Sequence, residues 1–300
     1  MARQQSETDE LYEVKANFFI GNYQASINEA QKVKSKLPEV ELERDVFLYR
    51  AYLAQKKYGV VSSEIHGGFA PELQSLKLLA DYLASPAKRE SIVSKIDQQM
   101  NGTVDLKNYV LFLSAATIYF HEQNYETCLK VLHQSDHLEC RALMVQTLLK
   151  MDRVDLAKKE LKTMQEQDDD SIVTQLAGAW VNLAIGGDKL QEAYYTFQEL
   201  IDKHVSTSYL LNGQATAYIG QGKYEEAESA LQEALEKDSN NSDTLVNLIV
   251  LSQLTGKTPE VCSRYVNQLK DSAPQHPFIQ ELSAKEREFE RLAAHYVASA

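Results

Sequence analysis

Residues 211–241, LNGQATAYIGQGKYEEAESALQEALEKDSNN, decide the fold of this chain of 300 residues. Two amphipathic helical segments flank a short turn at Gly222, and glycine readily takes the left-handed conformation that ends a helix. Ala215 is a small residue where the first helix would meet the second, and Ala227, Leu231 and Ala234 recur at helical spacing on the second helix. The stretch therefore predicts a helical hairpin whose helices pack closely through small residues.

The same hairpin recurs along the chain. An aromatic residue opens the second helix in four copies, at Tyr23, Tyr58, Tyr125 and Tyr224, and weaker copies turn near Lys88, Val154, Leu190 and Thr258. The steps scatter around the period of about 34 residues that is typical of the tetratricopeptide repeat (TPR), which residues 211–241 resemble. We therefore expect an all-α, TPR-like solenoid of about eight helical hairpins, forming a single superhelical domain over residues 1–300. The repeats would occupy residues 8–275.

The C-terminal residues 277–297 predict one further helix that covers the exposed end of the solenoid. Its apolar residues recur at helical spacing and are expected to face the last hairpin; they are Phe278, Leu282, Phe289 and Leu292. Proline residues at positions 71, 86, 259 and 277 suit the first turn of a helix, where a missing N–H costs nothing.

Composition and charge exclude several classes of function. The chain has 31 Lys and Arg against 43 Asp and Glu, a net charge of −12, which disfavours binding to nucleic acid or to an anionic membrane surface. Three cysteines are too few for the disulfide framework of a secreted protein. No apolar stretch reaches the ~20 residues of a membrane span. We therefore expect a soluble, cytosolic protein.

Two local motifs are weak candidates for chemistry. Cys128, His133, His137 and Cys140 lie close together, but their spacing matches no common zinc site, and Cys128 occupies a small-residue packing position. The two histidines flank a helix end, where partial positive charge is favourable. Gly256-Lys257-Thr258 lacks the earlier glycine that a phosphate-binding loop requires. We therefore predict no metal, no cofactor and no catalytic site.

A longer series of segments carries a resemblance to one family. These segments are DELYEVKANFFIGNYQASINEA at 9–30, ERDVFLYRAYLAQKKYGVV at 43–61 and WVNLAIGGDKLQEAYYTFQE at 180–199, with shorter ones at 211–215, 247–253 and 276–279. They resemble the epsilon subunit of coatomer, from about residue 9 to residue 296.

This resemblance implies a non-catalytic structural subunit of the COPI vesicle coat, acting in Golgi-to-ER and intra-Golgi transport. It implies a stable complex with the C-terminal region of coatomer's alpha subunit. Membrane association would be indirect, through the coat and a small Arf GTPase, on the cytosolic face of the Golgi and of coated vesicles. The alternative is a TPR adaptor of another cytosolic complex, and an enzyme with an unrecognised site is a more distant third.

A TPR array exposes its first helices on its concave side, where an extended or hairpin segment of a partner would lie. The candidate partner-binding residues in that register are Arg50, Leu53, Leu113, Thr117, Phe120, His121, Asn212 and Thr216.

Overall fold

The computed structural model describes residues 9–296, in which α-helices follow one another and no strand occurs. The chain divides into two compact units between Ile185 and Gly186. Unit 1 contains α1 (Tyr12–Phe19), α2 (Tyr23–Lys32), α3 (Pro38–Ala54), α4 (Tyr58–Glu64), α5 (Pro71–Ala84), α6 (Arg89–Met100), α7 (Tyr109–His121), α8 (Tyr125–Leu132), α9 (Leu138–Lys150), α10 (Val154–Asp168) and α11 (Ile172–Ile185).

Unit 2 contains α12 (Lys189–Lys203), α13 (Ser208–Gly220), α14 (Tyr224–Lys237), α15 (Ser242–Leu254), α16 (Pro259–Ser272) and α17 (Pro277–His295). The all-α prediction is confirmed over residues 9–296. The single superhelical domain stays a prediction, and its boundaries at residues 1, 8, 297 and 300 lie outside the described residues.

The predicted repeat register is confirmed at every second helix. The four tyrosines at positions 23, 58, 125 and 224 are each the first residue of a helix, and the weaker copies begin within one residue of the predicted position. Prolines 71, 86, 259 and 277 occupy first-turn positions, and Pro38 does so as well. The local sequence around each turn therefore determines where these helices begin.

Seven of the interhelical turns share one backbone device. A residue with positive φ lies two positions before the second helix at Gly21, Lys56, Gln123 and Asp152 in unit 1 and at Gly187 and Gly222 in unit 2, and three positions before it at Gly256. In six of these turns, the next N–H donates to the carbonyl oxygen five residues earlier, at 2.8–3.0 Å. This is the bond that satisfies the free carbonyls at a helix end. The third hairpin turns instead through a 3-10 helix at Pro86–Lys88.

Each unit has its own apolar core. In unit 1 the core runs from α3 to α11 and includes the fully buried Phe112 and Met164. In unit 2 it runs from α13 to α17 and includes Ala215 and Ala227, which are both completely buried. The small-residue positions of the quoted hairpin therefore lie at the helix interface, as predicted.

The prediction for the C-terminal helix is correct in its first turn and wrong beyond it. Phe278 packs against the unit 2 core beside the buried Ile279. Phe289 and Leu292, however, are 73% and 51% exposed. The helix extends past the hairpin that it contacts, so its later apolar residues do not face that hairpin.

Candidate functional site

A largely buried ion pair joins α3 and α9 in unit 1. Arg50 on α3 donates to Glu139 in the first turn of α9, with Nη1 and Oε1 3.0 Å apart and a second bond from Nη2 to Oε2. Both side chains are largely buried, at 15% and 7% exposed. Burial lowers the pKa of the Arg50 guanidinium, but the adjacent Glu139 carboxylate more than offsets this and holds the pKa above its ordinary value.

Two aromatic rings complete the environment of Arg50. Its guanidinium carbon lies 4.6 Å from the ring centre of Phe18 and 4.9 Å from that of Phe47. The two rings meet edge to face, 5.3 Å apart. Cation–π contacts of this kind strengthen when water is excluded, so α1, α3 and α9 are held together by charge and by aromatic packing.

His137 lies next to this pair and caps α9. Its Nδ1 accepts a hydrogen bond from the Glu139 N–H at 3.4 Å, and its ring stacks on Tyr109 with centroids 3.7 Å apart. Burial lowers the pKa of His137, and the Glu139 carboxylate offsets this only in part. The favourable positive charge predicted for His137 is therefore wrong, because this residue lies at a helix N-terminus, where the dipole opposes a cation.

A small cavity of about 210 Å³ opens beside the ion pair. At its edge, Lys15 pairs with Glu43 at 2.9 Å. Burial lowers the pKa of Lys15, but hydrogen bonds to Glu43 and Asp9 outweigh that effect and raise it. Cofactor pockets usually exceed ~300 Å³, so this space suits a single side chain of a bound segment. The lining residues are Lys15, Phe19, Glu43, Phe47, His137, Leu138, Glu139, Gln167, Ser171 and Val173.

The candidate partner-binding residues divide between the two units. In unit 1, Leu53 on α3 is buried and Arg50 is largely buried, at 15% exposed; on α7, Leu113, Thr117 and Phe120 are half-buried and His121 is exposed. In unit 2, Asn212 is buried and Thr216 is exposed, both on α13.

The α7 residues share one face, because they are spaced three or four apart. The structure gives Arg50 partners that the prediction did not include, namely Glu139, Phe18 and Phe47. Glu139 is 89 residues away in sequence, so no local spacing could have signalled it.

In unit 2 the inner polar groups are neutral and satisfy one another. Asn212 donates to Thr244 Oγ1 at 2.8 Å and accepts from Asn247 Nδ2 at 2.9 Å. Gln214 donates to Gln198 Oε1 at 2.7 Å. These bonds join adjacent repeats and use the amide groups internally.

The zinc reading of Cys128, His133, His137 and Cys140 has no geometric support. Among residues 9–296, no three His, Cys, Asp or Glu side chains are placed to share a metal ion. Both cysteines are fully buried, and burial raises the pKa of the Cys140 thiol to about 12.

No helix within residues 9–296 is both long and apolar enough to cross a membrane.

Solved structures with similar folds are repeat proteins. A tetratricopeptide repeat protein from Parabacteroides merdae superposes with a TM-score of 0.54 at 14% identity, covering 92% of this chain and 98% of the other. A chain from the APC/C hetero-tetramer Cut9–Hcn1 superposes with a TM-score of 0.58 at 14% identity, covering 90% and 53%. At this identity the likeness establishes the TPR-like fold alone.

Sequence comparison is more specific. The family model for the coatomer epsilon subunit matches residues 7–297. Coatomer subunit epsilon-1 of Arabidopsis thaliana is 42% identical over 283 residues, covering 94% of this chain and 96% of the relative. Coatomer subunit epsilon of Dictyostelium discoideum is 40% identical, covering 94% and 97%. The chain therefore belongs to the coatomer epsilon subunit family, whose members are non-catalytic subunits of the coatomer vesicle coat.

Proposed function

We propose that this coat subunit binds the C-terminal region of coatomer's alpha subunit through the first helices of its repeats. The observation that carries the proposal is the cavity beside Arg50 and Glu139, which lies against first helices and offers aromatic and charged walls at the scale of one side chain. The exposed and half-buried stripe on α7 extends the available surface. The chain acts in Golgi-to-ER and intra-Golgi transport as a scaffold.

Recruitment to the Golgi membrane is indirect in this proposal. The net charge of −12 opposes contact with anionic lipid, since like charges repel at the surface. The coat as a whole, acting with an Arf GTPase, places the subunit on the cytosolic face of the membrane and of coated vesicles.

The direct test is titration calorimetry of the full chain with the purified C-terminal region of the alpha subunit. His121→Glu and Thr216→Glu change exposed candidate residues, so neither disturbs the core. We expect each to weaken binding by about tenfold, the equivalent of about 1.4 kcal/mol. His133→Glu, the same change at an exposed position after a second helix, is the matched control and leaves the affinity unchanged.

Two results would contradict the proposal. Absence of binding by the wild-type chain would favour the alternative, an adaptor of another complex. Co-sedimentation of the isolated chain with anionic vesicles, without the alpha subunit and activated Arf, would contradict indirect recruitment.

A further inference from the structure

The C-terminal half of α17 carries an apolar stripe that no residue within 9–296 covers. Phe289 is 73% exposed, Leu292 51% and Tyr296 84%. Every residue from Ala284 to Tyr296 is exposed, whereas Ile279 in the first turn is buried. At 1.5 Å per residue, the exposed part of the helix is about 18 Å long. The helix therefore continues well past the core that it covers.

The spacing of these residues is that of a helix-packing seam. Leu282, Phe289 and Tyr296 are seven residues apart, and Leu292 lies between the last two. Such a heptad spacing places apolar side chains on one line that a second helix can follow. A free helix of about 12 residues is only marginally stable in water, so this segment gains most from a partner that buries the line. We call these four residues the α17 stripe; Leu282 is half-buried, and the other three are exposed.

Charge defines the edges of the α17 stripe. At 3.6 residues per turn, Glu281 and Glu288 lie along one edge, and Glu286 and Glu290 along the other. Arg287 and Arg291 lie on the opposite side of the helix and are exposed. Lys285, three residues after Leu282 and four before Phe289, lies on the line of the stripe itself and is exposed. The edges are therefore acidic, and one cation interrupts the apolar line between them.

We propose that the α17 stripe docks an amphipathic helix of a partner protein whose apolar face is bordered by Lys and Arg. Such a helix would bury the four stripe residues and place its cations beside the glutamates at both edges. A second copy of this chain would oppose glutamate to glutamate in either orientation, and an anionic membrane would meet the same repulsion. The α17 stripe shares no residue with the candidate alpha-subunit site, and docking here does not depend on alpha-subunit binding there.

The test uses the full chain and two designed helical peptides that share one leucine stripe. One peptide is bordered by Lys and Arg and the other by Glu, and fluorescence anisotropy measures their binding. We expect the basic-bordered peptide to bind at least about tenfold more tightly, a difference of about 1.4 kcal/mol.

Three double variants separate the stripe from general electrostatic attraction. Phe289→Glu with Leu292→Glu should lower the affinity for the basic-bordered peptide by more than about tenfold, because two apolar contacts are lost. Arg287→Gln with Arg291→Gln changes the net charge by the same amount on the opposite side of the helix, and should leave the affinity unchanged. Glu286→Lys with Glu288→Lys should reverse the preference between the two peptides. Far-UV circular dichroism confirms that each variant is folded.

Five outcomes would overturn the proposal. The wild-type chain could bind both peptides equally or neither, or the preference could survive in the Phe289→Glu, Leu292→Glu variant. Sedimentation could show a wild-type dimer that this variant dissociates, which would assign the stripe to a second copy. Co-pelleting with phosphatidylserine vesicles that is lost in the same variant would assign it to membrane.

Discussion

The interiors of units 1 and 2 satisfy their polar groups over different distances along the chain. In unit 2, Asn212 bonds to residues 32 and 35 positions away, in the next repeat. In unit 1, Arg50 pairs with Glu139, 89 positions away, and α1 contacts α11. Repeat proteins normally interact only between neighbours. Unit 2 follows that rule, whereas unit 1 adds contacts that skip repeats and tie its first helices to its later ones.

The largest effect should come from breaking the ion pair of unit 1. Glu139→Gln leaves the Arg50 guanidinium buried without its counter-charge, which typically costs about 3–5 kcal/mol. Trp180 on α11 is the only tryptophan of the chain, so its fluorescence during denaturant unfolding reports on unit 1.

The matched control replaces both partners. Arg50→Met with Glu139→Met removes the pair without leaving an unpaired charge, and should recover most of the stability. A loss in Glu139→Gln no larger than that in Asn212→Ala, expected at about 1–3 kcal/mol, would remove the distinction between the units.

The next prediction compares alanine substitutions at two glycines that occupy the same repeat position, 35 residues apart. A Cβ on Gly213 in unit 2 would overlap the ring of Phe197, which is itself fully buried. A Cβ on Gly178 in unit 1 would meet only Leu161, at 3.9 Å. We expect Gly213→Ala to destabilise by about 1–3 kcal/mol through overpacking, and Gly178→Ala to stabilise by up to about 1 kcal/mol through helix propensity. Thermal melts followed by circular dichroism check both variants. If both are stabilised or both are destabilised, the proposed difference in packing is contradicted.

Acidification should weaken unit 1 through His137. The folded chain resists protonation of this ring because burial lowers its pKa, while the unfolded chain takes up a proton near pH 6.5. The free energy of unfolding is therefore highest above about pH 6.5 and decreases as the pH falls below that value. We expect a loss on the order of 1 kcal/mol, similar to the loss of an N-cap acceptor.

His137→Asn keeps a capping acceptor that does not titrate, so it should flatten the pH dependence of the Trp180 signal. The same change at His276, which caps α17 in unit 2, should leave that dependence in place. If both variants titrate like the wild type, His137 is not the responsible group.

The smallest effect concerns the turns. Lys56, Gln123 and Asp152 have positive φ in unit 1, where unit 2 uses glycine at every corresponding turn. The left-handed conformation costs a non-glycine residue about 1–2 kcal/mol, which a glycine would not lose. Glycine, however, has more conformational freedom in the unfolded chain, which lowers the gain in stability by about 0.5–1 kcal/mol. Lys56→Gly should therefore stabilise by about 0.5–1 kcal/mol, whereas Gly222→Ala should destabilise. Denaturant midpoints measure both changes, and a destabilising Lys56→Gly would mean that its side chain contributes contacts.

Local chemistry explains why so much of the fold could be predicted. The start of every second helix except α10 has a tyrosine, glycine or proline within a few residues, and the structure confirms all the predicted starts to within one residue. The third turn was predicted near Lys88 although it uses a 3-10 helix instead of a left-handed residue. Helix periodicity also predicted the apolar line on α17, but periodicity does not indicate whether another part of the chain covers that line.

The candidate site was predictable only in part, because its contacts join segments that are far apart in the sequence. Repeat register placed Arg50 on a first helix, but its partner comes from a helix three repeats later. His133 and His137 looked equivalent in sequence, yet one follows α8 and the other caps α9. Such roles depend on packing between distant segments, which spacing along the chain does not encode.

The long-range pair of unit 1 also has a consequence for synthesis. A ribosome adds about 5–20 residues per second, so Arg50 is added roughly 5 to 20 s before Glu139. During that interval the early helices hold an arginine and two phenylalanines that their final neighbours cannot yet shield. Unit 2 has no comparable delay in its described contacts between α13 and α15, because each amide meets its partner within about one repeat of chain growth. The N-terminal half of the nascent chain is therefore the part with the greater need of a chaperone.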